Sequence, residues 1–157
     1  MKFLRNVDKI SYSLAMSQAR IFEKSVSYGI PSKIFIRSFM LSDEASFFDK
    51  LNIDIVGLSE GEIFDNISKK ISNKKGIVYS YSIMRFIGYF YRTASYLTNL
   101  SSKYLYKNIK PEILARNYNT LHSLAIEEAI KEIFELLNIQ IEDKYSLFAK
   151  IYKMDNI

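Results

Sequence analysis

The chain of 157 residues has no cysteine, no tryptophan, one histidine, two prolines and five glycines. Without cysteine there is no disulfide, no thiolate nucleophile and no cysteine-ligated metal. The scarcity of proline and glycine argues against a β-sandwich with many tight turns and favours long helices with short connections. We therefore predict an all-α fold, a single-domain irregular helical bundle over residues 1–157.

The composition also bounds the class of function. Hydrophobic residues make up 48% and charged residues 25% of the chain, which is enough to form a packed core. The net charge of +5 suits an acidic partner or a nucleic acid, although a lysine-rich solvated surface gives the same value. The first residues contain Asp8 and no long apolar run, so they are not typical of a secretory signal, and we expect a cytoplasmic protein.

The most aromatic stretch of the chain predicts a central buried helix over about residues 80–99. Its apolar residues cover more than half of the helix circumference, which is typical of a helix inside a bundle. A polar stripe occupies the remainder, because steps of three and four residues place Arg85, Tyr89 and Arg92 on one face. Two arginines near mid-depth argue against a membrane span, so no membrane partner is predicted.

Helix starts and stops divide the rest of the chain. Asp8 is predicted to cap a first helix, and the segment 32–41 is read as helix rather than strand because no second strong strand exists to pair with it. Ser42 is a predicted cap, and Ser59 with Glu62 forms a predicted capping box. The run SNKKG over residues 72–76 predicts a mobile loop.

The C-terminal half predicts several shorter helices. A helix over 101–109, capped by Ser101 or Ser102, is followed by a second one that begins at Pro111 and continues over residues 111–121. Ser123 is a predicted cap for the next helix, and a last helix is predicted over residues 143–154.

The search for chemistry finds little. His122 is the single histidine, and no nucleophile accompanies it, so no catalytic residue is predicted. One histidine without cysteine does not make a zinc site, and no glycine-rich phosphate loop is present, so no metal and no cofactor are predicted. The sequence indicates a non-enzymatic protein.

Two segments carry the candidate interaction residues, the exposed polar stripe of the central helix and the helical hairpin over residues 101–118. The alternative interpretation of the stripe is the wet edge of a buried helix, or arginines that pair with internal acidic residues. Arginine and tyrosine are enriched at protein interfaces, and a basic surface suits an acidic partner protein. The hairpin also has the order of a helix-turn-helix, which makes a nucleic-acid-binding regulator the alternative. The predicted site residues are Arg85, Tyr89, Arg92, Lys103, Tyr106, Lys107, Arg116 and His122.

The stretch over residues 86–133 resembles a small family of bacterial proteins. Members carry a pattern like Y-W-I-G-Y-x-Y-R-Y-W, then S-S-K-x-I-Y-K-x-I-K-P-x-x-L, then Y-x-x-x-H-x-L-D-x-x-x-A-I. The matching residues here are Ile87, Gly88, Tyr89, Tyr91, Arg92, Ser101, Ser102, Lys103, Tyr106, Lys107, Ile109, Lys110, Pro111, Leu114, Tyr118, His122, Ala129 and Ile130. Residues 39–67 also resemble the N-terminal half of the family.

The resemblance has departures and an implication for function. Phe86 and either Ser95 or Tyr96 stand where the family has tryptophan, and Ala125 replaces an aspartate that follows the family histidine. Genes of the family tend to lie in toxin–antitoxin-like or mobile-element clusters, beside an ADP-ribosyltransferase-like toxin. The resemblance therefore implies an antitoxin-like partner of a neighbouring toxin.

Overall fold

The computed structural model describes residues 1–50 and 57–141, and every regular element in these ranges is a helix. The helices are α1 (Lys9–Ser27), α2 (Ser32–Met40), α3 (Asp43–Asp49), α4 (Glu60–Ser68), α5 (Tyr81–Thr98), α6 (Ser102–Asn108), α7 (Pro111–Arg116), α8 (Tyr118–Leu121) and α9 (Ile126–Leu136). The all-α prediction is confirmed. The helix predicted over residues 143–154 lies outside the described ranges.

The long helices α1 and α5 form the centre of the bundle, and α5 agrees with the helix predicted over about 80–99. Ser80 caps α5 by accepting a hydrogen bond from the N–H group of Ile83, and Asn99 ends it in the left-handed conformation at φ 58°. Gly88 lies where the two helices cross, since a Cβ there would be 2.9 Å from the carbonyl oxygen of Gln18. The absence of a side chain at Gly88 therefore sets how closely α1 and α5 approach.

Apolar residues from α1 through α9 share one hydrophobic cluster around this helix pair. Aromatic rings fill much of it, because the fully buried large side chains include Phe22, Phe35, Phe39, Phe64, Phe90, Tyr91 and Phe134. Phe22 of α1 lies edge-on to Phe39 of α2, with ring centroids 5.1 Å apart. Such pairs stabilise the core beyond their buried area.

Short polar side chains fix the helix starts where the sequence predicts them. Asp8 accepts from the N–H group of Ser11, whose hydroxyl group accepts in turn from the N–H group of Asp8, a complete capping box. Ser42, Ser59 and Ser101 each accept from a backbone N–H group in the first turn of the following helix. Capping satisfies donors that the helix itself leaves open.

Two predictions in the C-terminal half are wrong. The single helix predicted after Pro111 breaks at Asn117, because Asn117 leaves the helical conformation at φ −98° and ψ 10°. Its backbone N–H group and its side-chain amide both donate to the carbonyl oxygen of Ile113. Ser123 is not a cap either. Its hydroxyl group donates backward to Thr120, and α9 starts after Ala125, which adopts an extended conformation without a side-chain cap.

The segment between α4 and α5 is not helical and is tied to the start of α2. The Ser32 N–H group donates to the carbonyl oxygen of Ile77 across 2.9 Å, and the Tyr79 N–H group donates to Ser32 Oγ across 2.7 Å. Gly76 has φ 149° and lies against Pro31, with 3.0 Å between a built Cβ and Pro31 Cβ. Among the described residues no helix is both long and apolar enough to cross a bilayer.

Candidate functional site

Arg92 does not lie on an exposed stripe, and this part of the prediction is wrong. Arg92 is 2% exposed, because α1, α3 and α6 cover that side of α5. Nε donates to Gln18 Oε1 at 2.7 Å, Nη1 to Asp49 Oδ1 at 2.6 Å and Nη2 to Ser102 Oγ at 2.7 Å. Burial lowers the pKa of Arg92, and the neighbouring carboxylate of Asp49 opposes that shift. Arg92 therefore joins α5 to α1, α3 and α6 through hydrogen bonds inside the molecule.

Arg85, Tyr89 and His122 come together in a groove between α1, α5 and α8, which we call the aromatic groove. Its cavity has a volume of about 350 Å³. The lining residues are Tyr12, Met16, Ala19, Ser82, Arg85, Phe86, Tyr89, Tyr118 and His122. The volume lies at the small end of the range of about 300–1,000 Å³ that is typical of small-molecule pockets.

The rings of the aromatic groove are arranged at steep angles. Tyr12 and Tyr89 lie edge to face with centroids 6.3 Å apart and planes at 84°. Phe86 and Tyr118 make a second such pair at 5.5 Å and 70°. Both pairs line the same cavity, so four aromatic rings surround the aromatic groove.

His122 forms the outer part of the wall at α8. Its ring stacks on Tyr118 with centroids 4.5 Å apart, and Nδ1 lies 2.8 Å from the Tyr118 carbonyl oxygen. A carbonyl oxygen only accepts, so Nδ1 carries the hydrogen and Nε2 presents a lone pair when the ring is neutral. In the described ranges no acidic group lies within 4 Å of the ring nitrogens, and the ring is exposed.

The charges around the aromatic groove are largely compensated. Arg85 Nη1 lies 3.0 Å from Glu23 Oε2, so the guanidinium group already has an anionic partner. Burial raises the pKa of the Tyr89 phenol, and Tyr12 and the Glu127 carboxylate add to that increase. Glu127 in the first turn of α9 is therefore close enough to act on the aromatic groove electrostatically.

A second set of predicted residues lies on α6, beside α2. We call this surface the cationic face and define it by Lys33, Arg37, Lys103, Tyr106, Lys107 and Lys110. A cavity of about 300 Å³ lies in it, lined by Lys33, Ile34, Arg37, Tyr106, Lys110, Pro111 and Glu112. Lys103 lies three residues before Tyr106 and four before Lys107, which places the three side chains on one side of α6.

Positive charge predominates on the cationic face. Lys33 Nζ pairs with Glu112 Oε1 at 3.0 Å, and this hydrogen bond raises the pKa of Lys33. In the described part of the chain no carboxylate comes within 4 Å of the other lysines or of Arg37. Lys110 Nζ lies 5.2 Å from the centroid of the Tyr106 ring. Cations and a tyrosine thus surround an opening with apolar walls.

The hairpin over residues 101–118 lacks an extended reading helix. Its second helix, α7, is six residues long and buries Pro111 and Leu114. Arg116 is exposed at the end of α7 and lines neither the aromatic groove nor the cavity of the cationic face. The side-chain amide of Asn117 is engaged at 2.8 Å by the Ile113 carbonyl oxygen. Of the polar residues that the predicted second helix offered for reading bases, Arg116 and Asn119 are exposed, and Asn119 lies beyond α7 in α8.

Several lining residues were not among the predicted site residues. Tyr12, Met16 and Ala19 recur at helical spacing on α1, and Glu23 continues the same row. Lys33 and Arg37 repeat at four residues on α2. These spacings were readable in the sequence, but which helix faces which is decided by tertiary packing.

Comparisons with protein-family models, with curated proteins and with solved structures found no match to this chain. The resemblance described above consequently remains an expectation that rests on its motif residues. Within residues 1–50 and 57–141 there is no cluster of three or more histidine, aspartate or glutamate side chains that could hold a metal ion.

Proposed function

We propose that the chain is a non-enzymatic protein-interaction module that binds an acidic surface of a partner protein through the cationic face. The partner would be a toxin encoded beside it, for which the chain acts as an antitoxin-like protein. The resemblance of residues 86–133 is the reason for proposing a toxin as the partner. The charge of the cationic face is the reason for proposing that the partner surface is acidic.

The observation that carries the proposal is the unbalanced charge of the cationic face. Arg37, Lys103, Lys107 and Lys110 have no carboxylate within 4 Å among the described residues, and Glu112 balances only Lys33. Opposite charges across an interface steer encounter and set its orientation. An acidic partner would therefore be attracted to this side of the molecule, with an association rate that falls as salt is added.

Charge alone gives weak binding, because an exposed ion pair contributes only about 0.2–1 kcal/mol. The cationic face offers an apolar addition. Ile34 and the buried Pro111 line its cavity, next to the half-buried ring of Tyr106. An apolar side chain flanked by carboxylates would fill the cavity and pair with the surrounding lysines. Tyrosine and arginine are frequent hot-spot residues in such arrangements.

A nucleic-acid-binding regulator is the alternative reading of the same charge. The short α7 and the engaged Asn117 amide offer little for reading bases in a major groove. A protein partner requires only charge and an apolar anchor. We therefore favour the protein, and duplex DNA enters the test as a competing ligand.

Co-expression with the product of the neighbouring gene tests the proposal. We expect the two proteins to co-purify at about 0.15 M salt and the complex to weaken as salt is raised. The variant Lys103→Glu with Lys107→Glu is expected to weaken the complex by at least about tenfold, since it reverses two positive charges of the cationic face. Both lysines are exposed, so the fold is not at risk.

The matched control reverses two exposed lysines elsewhere, Lys74→Glu with Lys75→Glu. It changes the net charge by the same amount and should leave the complex intact. If both variants weakened the complex equally, the loss of affinity would follow from the net charge alone, and the assignment of the interface to the cationic face would be overturned. Absence of a complex with the wild-type chain would overturn the proposed partner. Tight, salt-dependent binding of a short DNA duplex by the wild type, lost in the first variant, would establish the alternative.

A further inference from the structure

The aromatic groove is a second binding site, separate from the cationic face. We propose that it binds a small alkylammonium compound of the choline type, with the charged nitrogen among the rings of Tyr12, Phe86, Tyr89 and Tyr118. This inference does not depend on the proposed partner protein, because none of these residues belongs to the cationic face.

The arrangement of the aromatic rings is the first argument for a bound cation. A cation within about 6 Å of a ring centroid is attracted by the electron-rich face. The edge-to-face pairs Tyr12–Tyr89 and Phe86–Tyr118 bring four rings to one cavity, with centroid separations of 6.3 and 5.5 Å within the pairs. A cation held within about 6 Å of several of these centroids would be attracted by each ring, whereas a neutral group of the same shape would gain only the burial of its apolar surface.

The local charges carry the second step. Arg85 is the one arginine or lysine in the lining, and its guanidinium group is paired with Glu23 at 3.0 Å. Glu127 adds a negative charge near Tyr89. The lysines of the cationic face do not line this cavity, and exposed charges beyond about 8 Å are screened at physiological salt. The local balance therefore favours a cation although the whole chain is basic.

The acceptors in the lining carry the third step. His122 Nε2 has no hydrogen-bond partner in the described part of the chain and presents a lone pair while Nδ1 donates to Tyr118. Ser82 adds an exposed hydroxyl group to the lining. A compound with one methylated nitrogen and one hydroxyl group matches rings and acceptors together. The cavity of about 350 Å³ suits a ligand of that size rather than a folded partner segment.

Titration with choline, followed by heteronuclear NMR of the isotope-labelled chain, tests the inference. The comparison ligand is the neutral isostere in which carbon replaces the charged nitrogen. We expect choline to shift the amide signals of the aromatic groove and to bind about tenfold more tightly than the isostere, which is the scale of the cation–π gain. Equal affinities would mean a merely apolar cavity and would overturn the inference, as would an absence of shifts.

Ring variants sharpen the result. Tyr12 is 50% exposed, so Tyr12→Leu removes a ring without opening the core, and it should weaken choline binding about tenfold. Tyr12→Phe keeps the ring face and should bind as the wild type does. Tyr104→Leu, at an exposed tyrosine outside the aromatic groove, is the matched control and should have no effect. If Tyr12→Leu binds choline as well as the control, the assigned cavity is wrong.

Two further ligands test whether the aromatic groove binds an aromatic anion or a segment of a partner protein instead. Benzoate probes an aromatic anion, and preferential binding of benzoate that is lost in Arg85→Gln would overturn the cation assignment. A peptide with trimethylated lysine probes a protein segment as the source of the ammonium group. If that peptide binds markedly more tightly than choline, the occupant is a partner chain and not a small compound.

Discussion

Arg92 Nη1 donates to Asp49 Oδ1 across 2.6 Å and so joins the middle of α5 to the last residue of α3 inside the molecule. The same carboxylate accepts from the N–H group and the hydroxyl group of Ser102, at 2.9 and 2.6 Å. Gln18 of α1 holds the guanidinium group from the other side. A single charged pair with its partners thus links α1, α3, α5 and α6.

Removing the arginine should be costly. In Arg92→Met the Asp49 carboxylate stays in place without its cation, and breaking a buried pair in this way typically costs about 3–5 kcal/mol. We expect a comparable fall in the free energy of unfolding, measured by urea denaturation.

The exposed pair between Arg85 and Glu23 provides the comparison, since the two side chains are 46% and 34% exposed. Arg85→Gln should change the free energy of unfolding by less than about 1 kcal/mol. Similar losses in Arg92→Met and Arg85→Gln would contradict the structural role assigned to Arg92.

Alanine substitution should have opposite effects on stability at Gly88, where α1 and α5 cross, and at Gly61 in α4. At Gly88 a Cβ would lie 2.9 Å from both the Gln18 carbonyl oxygen and Phe22 Cγ, so the helices must separate. Overpacking of about 1–3 kcal/mol should exceed the helix-propensity gain of about 1 kcal/mol, and Gly88→Ala should destabilise the fold. At Gly61 the nearest atoms are 3.7 and 3.8 Å away, and Gly61→Ala should stabilise it. Urea midpoints that shift in the same direction would contradict this prediction.

The buried phenol of Tyr91 should make the free energy of unfolding fall as the pH rises in the alkaline range. Its phenol is buried and donates to the Ile109 carbonyl oxygen at 2.5 Å, and burial raises its pKa well above the ordinary value of 10.0. Below that ordinary value the phenol is neutral in both states, so its contribution is fully present. Above it the unfolded chain loses the proton first, and the free energy of unfolding should fall by about 1.4 kcal/mol per pH unit for this phenol until the folded-state pKa is reached.

The variant Tyr91→Phe isolates that contribution. It should cost about 1 kcal/mol at neutral pH, because the hydrogen bond to Ile109 is lost. Between pH values of about 10 and 11 its free energy of unfolding should fall less steeply than that of the wild type. Urea denaturation at several alkaline pH values measures both slopes, and identical slopes would exclude Tyr91 as the source.

Ser32 is expected to control access to the segment 72–76. Its hydroxyl group accepts from the Tyr79 N–H group at 2.7 Å, which ties the chain three residues beyond this segment to α2. Loss of a bond of about 1 kcal/mol in Ser32→Ala should raise the open population, and with it trypsin cleavage after Lys74 and Lys75, about fivefold. Mass spectrometry of the fragments gives the rate, and Ser123→Ala is the control. An unchanged rate at these bonds would mean that Ser32 does not hold the segment.

The helical class and most helix starts were predictable from the sequence because both rest on local chemistry. Scarce glycine and proline, apolar spacing and the serine or aspartate caps all act within a few residues of chain. Asn117 shows the limit of that reasoning. Its neighbours continue a helical pattern, yet Asn117 itself leaves the helical conformation at φ −98° and ψ 10°, which divides α7 from α8.

The candidate site was predictable only in part, because a polar stripe does not reveal which of its residues another helix will cover. Arg85, Tyr89 and Arg92 share a spacing, yet α3 and α6 bury Arg92 while Arg85 stays at the rim of the aromatic groove. Tyr12 reaches the same cavity from α1, far away in sequence. Such long-range pairing is a property of the packed bundle and has no local signature.

The wall of the aromatic groove that carries Tyr118 and His122 is far shorter than the opposite one. It consists of the four-residue helix α8 and the following His122, anchored by buried Leu121, whereas α1 and α5 are 19 and 18 residues long. Segments with few buried contacts open at lower free energy than densely packed ones. Helix α8 has one buried residue, whereas α1 has eight and α5 has eleven. We therefore expect any change in the width of the aromatic groove to come from α8 rather than from α1 or α5.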